Sequence, residues 1–184
     1  MDGDLADMLV QRLTMYKLRA DVTIADAGLH LHRGTDAPPT DALPDPRHAA
    51  LGWRAYRDVP PQSDDTDWAA LRVAHMIPTS GVELTPDSFI LEMGFERIGG
   101  VDFRKGCYVG QEVTARMKHK TELRKGLARV AVSGEATAGT AITTDGKPAG
   151  TLLTRAGDEA LAYLRYDRAT GEMQAEGATI TRIQ

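Results

Sequence analysis

The sequence predicts an α+β chain that closes with a small antiparallel β-barrel, and three observations predict it. Near the start, Leu5, Met8, Leu9, Leu13 and Tyr16 recur at helical spacing. From Gly126 the pattern changes to short apolar runs, LARVAV, TAITT, GTLLT, ALAYLRY and ATITRI, at near-regular intervals. Asp145-Gly146, Gly157-Asp158 and Thr170-Gly171 stand between those runs, and Asp-Gly is a strong hairpin signal.

The elements follow in order. The first helix is expected over Asp4–Lys17, with Asp2 or Asp4 as N-cap and with Arg12, Lys17 and Arg19 on solvated surface. Val22 and Ile24 alternate through 20–25 as a strand would, and 29–32 reads as its partner. His30 and His32 share one face of that second strand, but two histidines without a third ligand make no metal site. The Pro- and Asp-rich stretch GTDAPPTDALPDP is an exposed connection. Asp45 and Arg47 are expected to form a structural ion pair, and Trp53 and Tyr56 to be half-buried strand aromatics.

A second helix is expected over 63–77. Asp64, Asp65 and Asp67 crowd its first turn, where negative charge suits the helix dipole. Trp68, Leu71 and His75 fall on one face, and Pro78 ends it. The stretch 79–100 carries Thr85-Pro86 and the apolar run Phe89-Ile90-Leu91. Val101 and Phe103 then alternate like a short strand, which leads into KGCYVGQE, Lys105 to Glu112. After it, VTARMKHKTELRK is a good helix former. The eight residues thus fall at a strand–loop–helix junction, where chemistry is commonly displayed.

Composition bounds the function. At 184 residues the chain is one large or two small domains. Hydrophobic content of 42% and charged content of 26% are ordinary for a soluble protein. A net charge of −4 argues against a general nucleic-acid binder. One cysteine rules out an internal disulfide framework and fits a reducing compartment. No run of about 18 apolar residues exists, so no membrane-spanning helix is expected. The acidic start, MDGDLADM, has neither a basic n-region nor an Arg-rich presequence, which points to the cytosol.

The lone thiol, Cys107, is flanked by Gly106 and Gly110, preceded by Lys105 and followed by Gln111 and Glu112. A thiol reacts as thiolate, and a nearby cation or a helix N-terminus favours that form. Lys105 and the first turn of the following helix, with Gly110 as its N-cap, are positioned to supply both. The competing reading is a small buried hydrophobe, since cysteine is among the most buried residue types. Around the following helix, Arg116, Lys118, His119, Lys120, Arg124 and Lys125 outnumber Glu112 and Glu122. A solvated helix face is the ordinary reading; the functional one is a site for an acidic partner or a polyglutamate tail.

KGCYVGQE resembles the signature of the YgfZ family, folate-binding, glycine-cleavage T-protein-like proteins that support iron–sulfur cluster assembly. The following RMKHK, the preceding GVDF and the upstream Asp45–Arg47 and Gly52–Arg54 also match. The resemblance implies a T-protein-like folate-binding domain over 1–125, lacking its first strands, and a C-terminal β-barrel domain over 126–184. Family members begin with a further β-rich segment, so the resemblance also implies a truncated product, a misassigned start or a fragment. It implies tetrahydrofolate as cofactor, and iron–sulfur client enzymes or assembly proteins as partners. It carries Cys107 and Lys105 over as the functional pair. Arg72, Gly106, Tyr108, Gly110, Gln111, Glu112 and Arg116 are carried over as cofactor-binding residues, Glu112 and Arg116 also as an i, i+4 ion pair. In T-protein relatives a glutamate contacts the pterin from the stretch LRVAHMIP; that position is Ala74 here, and the family's glycine position is Met76. The alternatives are a tetrahydrofolate-dependent aminomethyltransferase and a cysteine hydrolase pairing Cys107 with His75 or His119.

Overall fold

The computed structural model describes residues 5–120 and 122–183, in two compact units. One comprises residues 1–44 and 52–65, the other residues 45–51 and 66–184. The expected caps Asp2 and Asp4 lie outside the described residues.

In the first unit, helix α1 spans Ala6–Tyr16 and buries none of its residues. The strand expected over 20–25 does not form. Ala20 N–H donates to Lys17 O, Val22 N–H to Ala20 O, and the Lys17 ammonium to Val22 O. Tight turns thus take up the backbone groups that a ladder needs. The strand expected over 29–32 is β1, His30–Gly34. It pairs antiparallel with β3, Trp53–Arg57, whose other edge takes the two-residue β2, Leu43–Pro44. Gly34 is obligatory there: a Cβ would come within 2.6 Å of the Trp53 ring, whose indole N–H donates to Asp36. His32 hydrogen-bonds Val59 O through its ring. The Arg57 guanidinium grips Asp41 with two 2.8 Å bonds and holds that carboxyl below its ordinary pKa.

The second unit is built on the barrel. Six antiparallel strands close in the order β4-β7-β6-β5-β8-β9. They are β4 Lys125–Ser133, β5 Ala141–Thr144, β6 Lys147–Ala156, β7 Glu159–Arg165, β8 Glu172–Ala175 and β9 Ala178–Arg182. Side chains alternate across a strand, so Val130, Val132, Ile142, Leu152, Leu164, Met173 and Ile180 fill the interior. Alanines 128, 149, 160, 162, 175 and 178 keep so narrow a barrel from overfilling. Asp145 and Gly146 both take positive φ, +50° and +72°, as the expected two-residue hairpin turn requires. β8 was not anticipated. Its turn into β9 is Glu176-Gly177, with Glu176 at φ +54° where Asn or Asp would announce such a turn.

β4 and β7 are buried on both faces. Leu127, Leu161 and Tyr163 point outward and pack with Val73, Met76, Met93, Leu84 and Phe95. Those partners come from helix α2, Trp68–Ala74, from the turn that ends it at Met76, and from the segment 79–100. The compact unit therefore reaches back to Thr66, although the barrel itself begins at Lys125. α2 is shorter than the helix expected over 63–77, because the Asp67 carboxylate caps it by accepting from Ala70 N–H at 2.8 Å. Asp64 and Asp65 lie ahead of the helix rather than in its first turn.

Two glycines separate packing from conformational freedom. A Cβ on Gly150 would meet the Tyr163 carbonyl at 2.2 Å, so Gly150→Ala must part β6 from β7. Overpacking of this kind costs about 1–3 kcal/mol. Gly171 has open space and no left-handed φ, so Gly171→Ala should be neutral or gain up to about 1 kcal/mol. Thermal denaturation of the two variants checks the contrast; equal melting temperatures would contradict it.

Candidate functional site

The signature lies on an irregular loop that feeds helix α3, Gln111–Lys120. The expected strand over Val101 and Phe103 is absent: the Asp102 carboxylate accepts from Arg104 N–H at 2.8 Å and turns the chain instead. The junction is therefore loop to helix. Gly110 sits at φ +88° immediately before the helix, which explains glycine there. Tyr108 N–H donates to the Gln111 side chain at 3.1 Å, and Gln111 N–H donates back to Tyr108 O at 3.3 Å. This reciprocal pair satisfies two donors at the helix start, as a capping box does. Gln111 thus shapes the loop.

Cys107 is exposed and free. The buried-hydrophobe reading fails on that point. Beside it Val109 is 81% exposed, and Val113 is exposed on the first turn of α3. The Lys105 ammonium lies 5.0 Å from the centroid of the Tyr108 ring, a cation–π contact inside the same loop. Gly106 has open space and an ordinary φ, so the fold places no demand for glycine on that position. Glu112 and Arg116 form no ion pair with each other among the described residues. α3 instead ties down through Lys118, which bonds Glu96 at 2.5 Å and lies 5.2 Å over the Phe103 ring. His119 meets the edge of the same ring. Among the described residues no histidine hydrogen-bonds to Cys107, and no group of three or more His, Cys, Asp or Glu is arranged to hold a metal.

Arg72 lies elsewhere in the unit, on α2. Its guanidinium donates to Trp68 O at 3.3 Å and to the Thr79 hydroxyl. No hydrogen bond, ion pair or ring contact among the described residues joins it to the signature. α2 ends in a Schellman motif: Ile77 N–H donates to Arg72 O at 2.8 Å and Met76 N–H to Val73 O at 3.2 Å. The residue at the turn is Met76, at φ +49°. Glycine, which the resemblance expects at this position, would take that conformation at least cost; here the methionine side chain is buried in the core instead. Ala74, where the resemblance expects a pterin-contacting glutamate, has no carboxylate, and its backbone carbonyl accepts from Arg129.

Around that helix end the structure assembles residues that no local pattern announced. The Arg97 guanidinium donates to His75 O at 2.7 Å and to Met76 O. Arg129 grips Glu159 and so anchors its own bond to Ala74 O. The His48 ring stacks on His75 with centroids 4.0 Å apart and planes 22° apart. His48 lies 27 residues before its partner in sequence, so only the tertiary fold could reveal the pair. Farther out, a 260 Å³ cavity opens between the segment 82–93 and the outer barrel wall, beside the buried Glu83 carboxylate. Glu83 is fully engaged, accepting from Thr79 N–H and from Thr154.

Taken together, the second unit is a closed six-stranded antiparallel barrel that carries a displayed thiol loop on a helical shoulder. Residues 124–184 match the model of the CAF17 C-terminal beta-barrel domain. Over 94% of its length the chain is 30% identical to the mouse mitochondrial iron–sulfur cluster assembly factor IBA57, and it covers 57% of that protein. The human protein of the same name is 28% identical over 97% of the chain, with 60% of its own length covered. A homologue named for the same role in Mycosarcoma maydis is 31% identical over 68% of the chain. The chain thus spans little more than half of the mammalian relatives. These relatives are mitochondrial by name, which overturns the cytosolic placement expected from the acidic start. No helix among the described residues is long and apolar enough to cross a membrane.

Exposure of the thiol has a direct consequence. In the folded protein, Cys107 should react with a maleimide within about threefold of its rate in denaturant, because no fold opening is needed. Protection of a hundredfold or more would place the sulfur in a packed interior.

Proposed function

We propose that this chain is an accessory protein of iron–sulfur cluster assembly or repair, with Cys107 as its functional thiol. The observation that carries the proposal is the exposure of that sulfur on a loop held by Gly110 and by the Tyr108–Gln111 bond pair. Little in the packing of the second unit calls for these residues, so their role falls to what they meet outside it. The relatives named as cluster assembly factors support the same reading. Lys105 places a positive charge in the loop, and Arg116 places another on α3, whereas Lys118 is paired with Glu96. Such a surface favours acidic partners among client enzymes or assembly proteins.

Tetrahydrofolate is proposed as a ligand only with an incomplete fit. Arg72 spends its bonds on Trp68 and Thr79, and Ala74 has no carboxylate to meet a pterin. No step is therefore routed through folate. Binding without turnover is the expected behaviour, and consumption of an aminomethyl donor with tetrahydrofolate would move the reading to an aminomethyltransferase.

Two measurements test the proposal. Cys107→Ala should leave the melting temperature unchanged within about 2 °C and should depress the activity of cluster-dependent enzymes in complemented cells several-fold; full client activity would refute a role for the thiol. Ala74→Glu should tighten tetrahydrofolate by about tenfold, the worth of one charge-assisted hydrogen bond. An unchanged titration curve would show that the ligand, if bound, does not approach α2.

A further inference from the structure

We propose that the stacked His48–His75 pair is a proton-sensitive latch that holds the segment 45–51 against the C-terminal end of α2. This inference does not draw on the cluster-assembly reading. The two rings lie 4.0 Å apart and nearly parallel. Neutral imidazoles stack well at that distance, whereas two imidazolium ions repel. On one side the His48 ring is held by Ala50 N–H, which donates to its Nδ1 at 3.1 Å. A proton on that nitrogen would eject the Ala50 N–H.

The surroundings make protonation costly at His75 as well. From the segment 79–100 comes Arg97, and from β4 comes Arg129, both bonded to carbonyls of the helix end. The carboxylate of this group, Glu159 on β7, is already gripped by Arg129 through two bonds. On the side of the segment, Asp45 is committed to Arg47 at 2.7 Å. A proton on the His75 ring therefore enters a group of cations whose counter-charges are spoken for. Burial first, then His48, Arg129 and Arg97, hold the His75 pKa below its ordinary value of 6.5. A histidine pKa lowered by folding favours the neutral form in the fold. Its contribution is fully present above about pH 6.5 and is lost as pH falls through the folded value.

What the latch restrains is specific. Leu51 N–H donates to His48 O at 3.0 Å, and Leu51 is 2% exposed, within a short 3₁₀ turn over Ala49–Leu51. Splitting the stack frees that turn and uncovers Leu51. β4 and β7 hold no part of their ladder through the histidines, so the barrel stays closed while the segment opens.

The test uses the whole chain. Ring resonances of His48 and His75 are followed by NMR from pH 8 to 5, together with hydrogen exchange at the Ala50 and Leu51 amides. The expected result is titration of His75 below pH 6.5, with Ala50 and Leu51 protection falling at least tenfold beyond the intrinsic pH effect as it charges. Amides of β4 and β7 keep theirs. His75→Phe retains a ring to stack and removes the charge that would face His48, so the acid loss of Leu51 protection should shrink at least threefold. If that variant does not fold, His48→Phe reads the same property from the other side. A His75 ring that titrates at or above 6.5, constant Leu51 protection, or acid release undiminished in the phenylalanine variant overturns the proposal.

Discussion

The second unit depends on the burial of both faces of the β4–β7 ladder. Inward, Val130, Ala160, Ala162 and Leu164 close the barrel. Outward, Leu127, Leu161 and Tyr163 present a second apolar surface that water would otherwise meet. α2 and the segment 84–95 cover it. Each fully buried large side chain contributes about 1.5–3 kcal/mol. The strands thus act as a shared wall, and the residues that precede the barrel in sequence are organised by it. Glu92 seals the contact: its carbonyl accepts from Leu127 N–H, and its carboxylate accepts from the Tyr163 hydroxyl. Burial and that carboxylate push the tyrosine pKa up, which keeps the hydroxyl a donor.

The helix end at Met76 follows from the same wall. A Schellman turn needs a residue in the left-handed region, and glycine takes it at least cost. Met76 takes it at some cost in backbone strain but places its side chain among Val73, Met93, Leu127 and Leu161. Apolar burial outweighs the strain, which is of order 1 kcal/mol. Arg97 and Arg129 then satisfy the carbonyls that the helix leaves unpaired, and their positive charge suits the negative end of the dipole.

How far the chain was legible follows from how each element is stabilised. The barrel strands and the Asp145-Gly146 turn were readable because period-2 patterning and turn chemistry are local signals. β8 was not, since EMQA has four residues and its Glu176-Gly177 turn carries glutamate where Asn or Asp gives the strong hairpin signal. Val22 and Ile24 alternate correctly yet make no strand, because alternation says nothing about whether an edge is available to pair with. The same holds for Val101 and Phe103. Within the candidate site, Cys107, Gly110 and the α3 start were legible from residue type and spacing. The roles of Gln111 and Lys105 inside the loop, and the His48–His75 stack, were not, because each depends on where a side chain turns after the backbone is set.

This division bears on where function resides. The barrel and its cover are over-determined: alternation, turns, close-packed alanines and paired buried carboxylates all agree, and little there is left without a packing reason. The thiol loop is the reverse. It buries none of its apolar residues, places no steric demand on Gly106, and leaves Val109 and Cys107 in water. A loop tied to its own helix by two hydrogen bonds is cheap to deform. That suits a surface which must fit another molecule, and it is a poor use of a cysteine meant only to fill space. Packing accounts for the barrel side chain by side chain, whereas within KGCYVGQE it accounts only for Gly110 and the Tyr108–Gln111 pair.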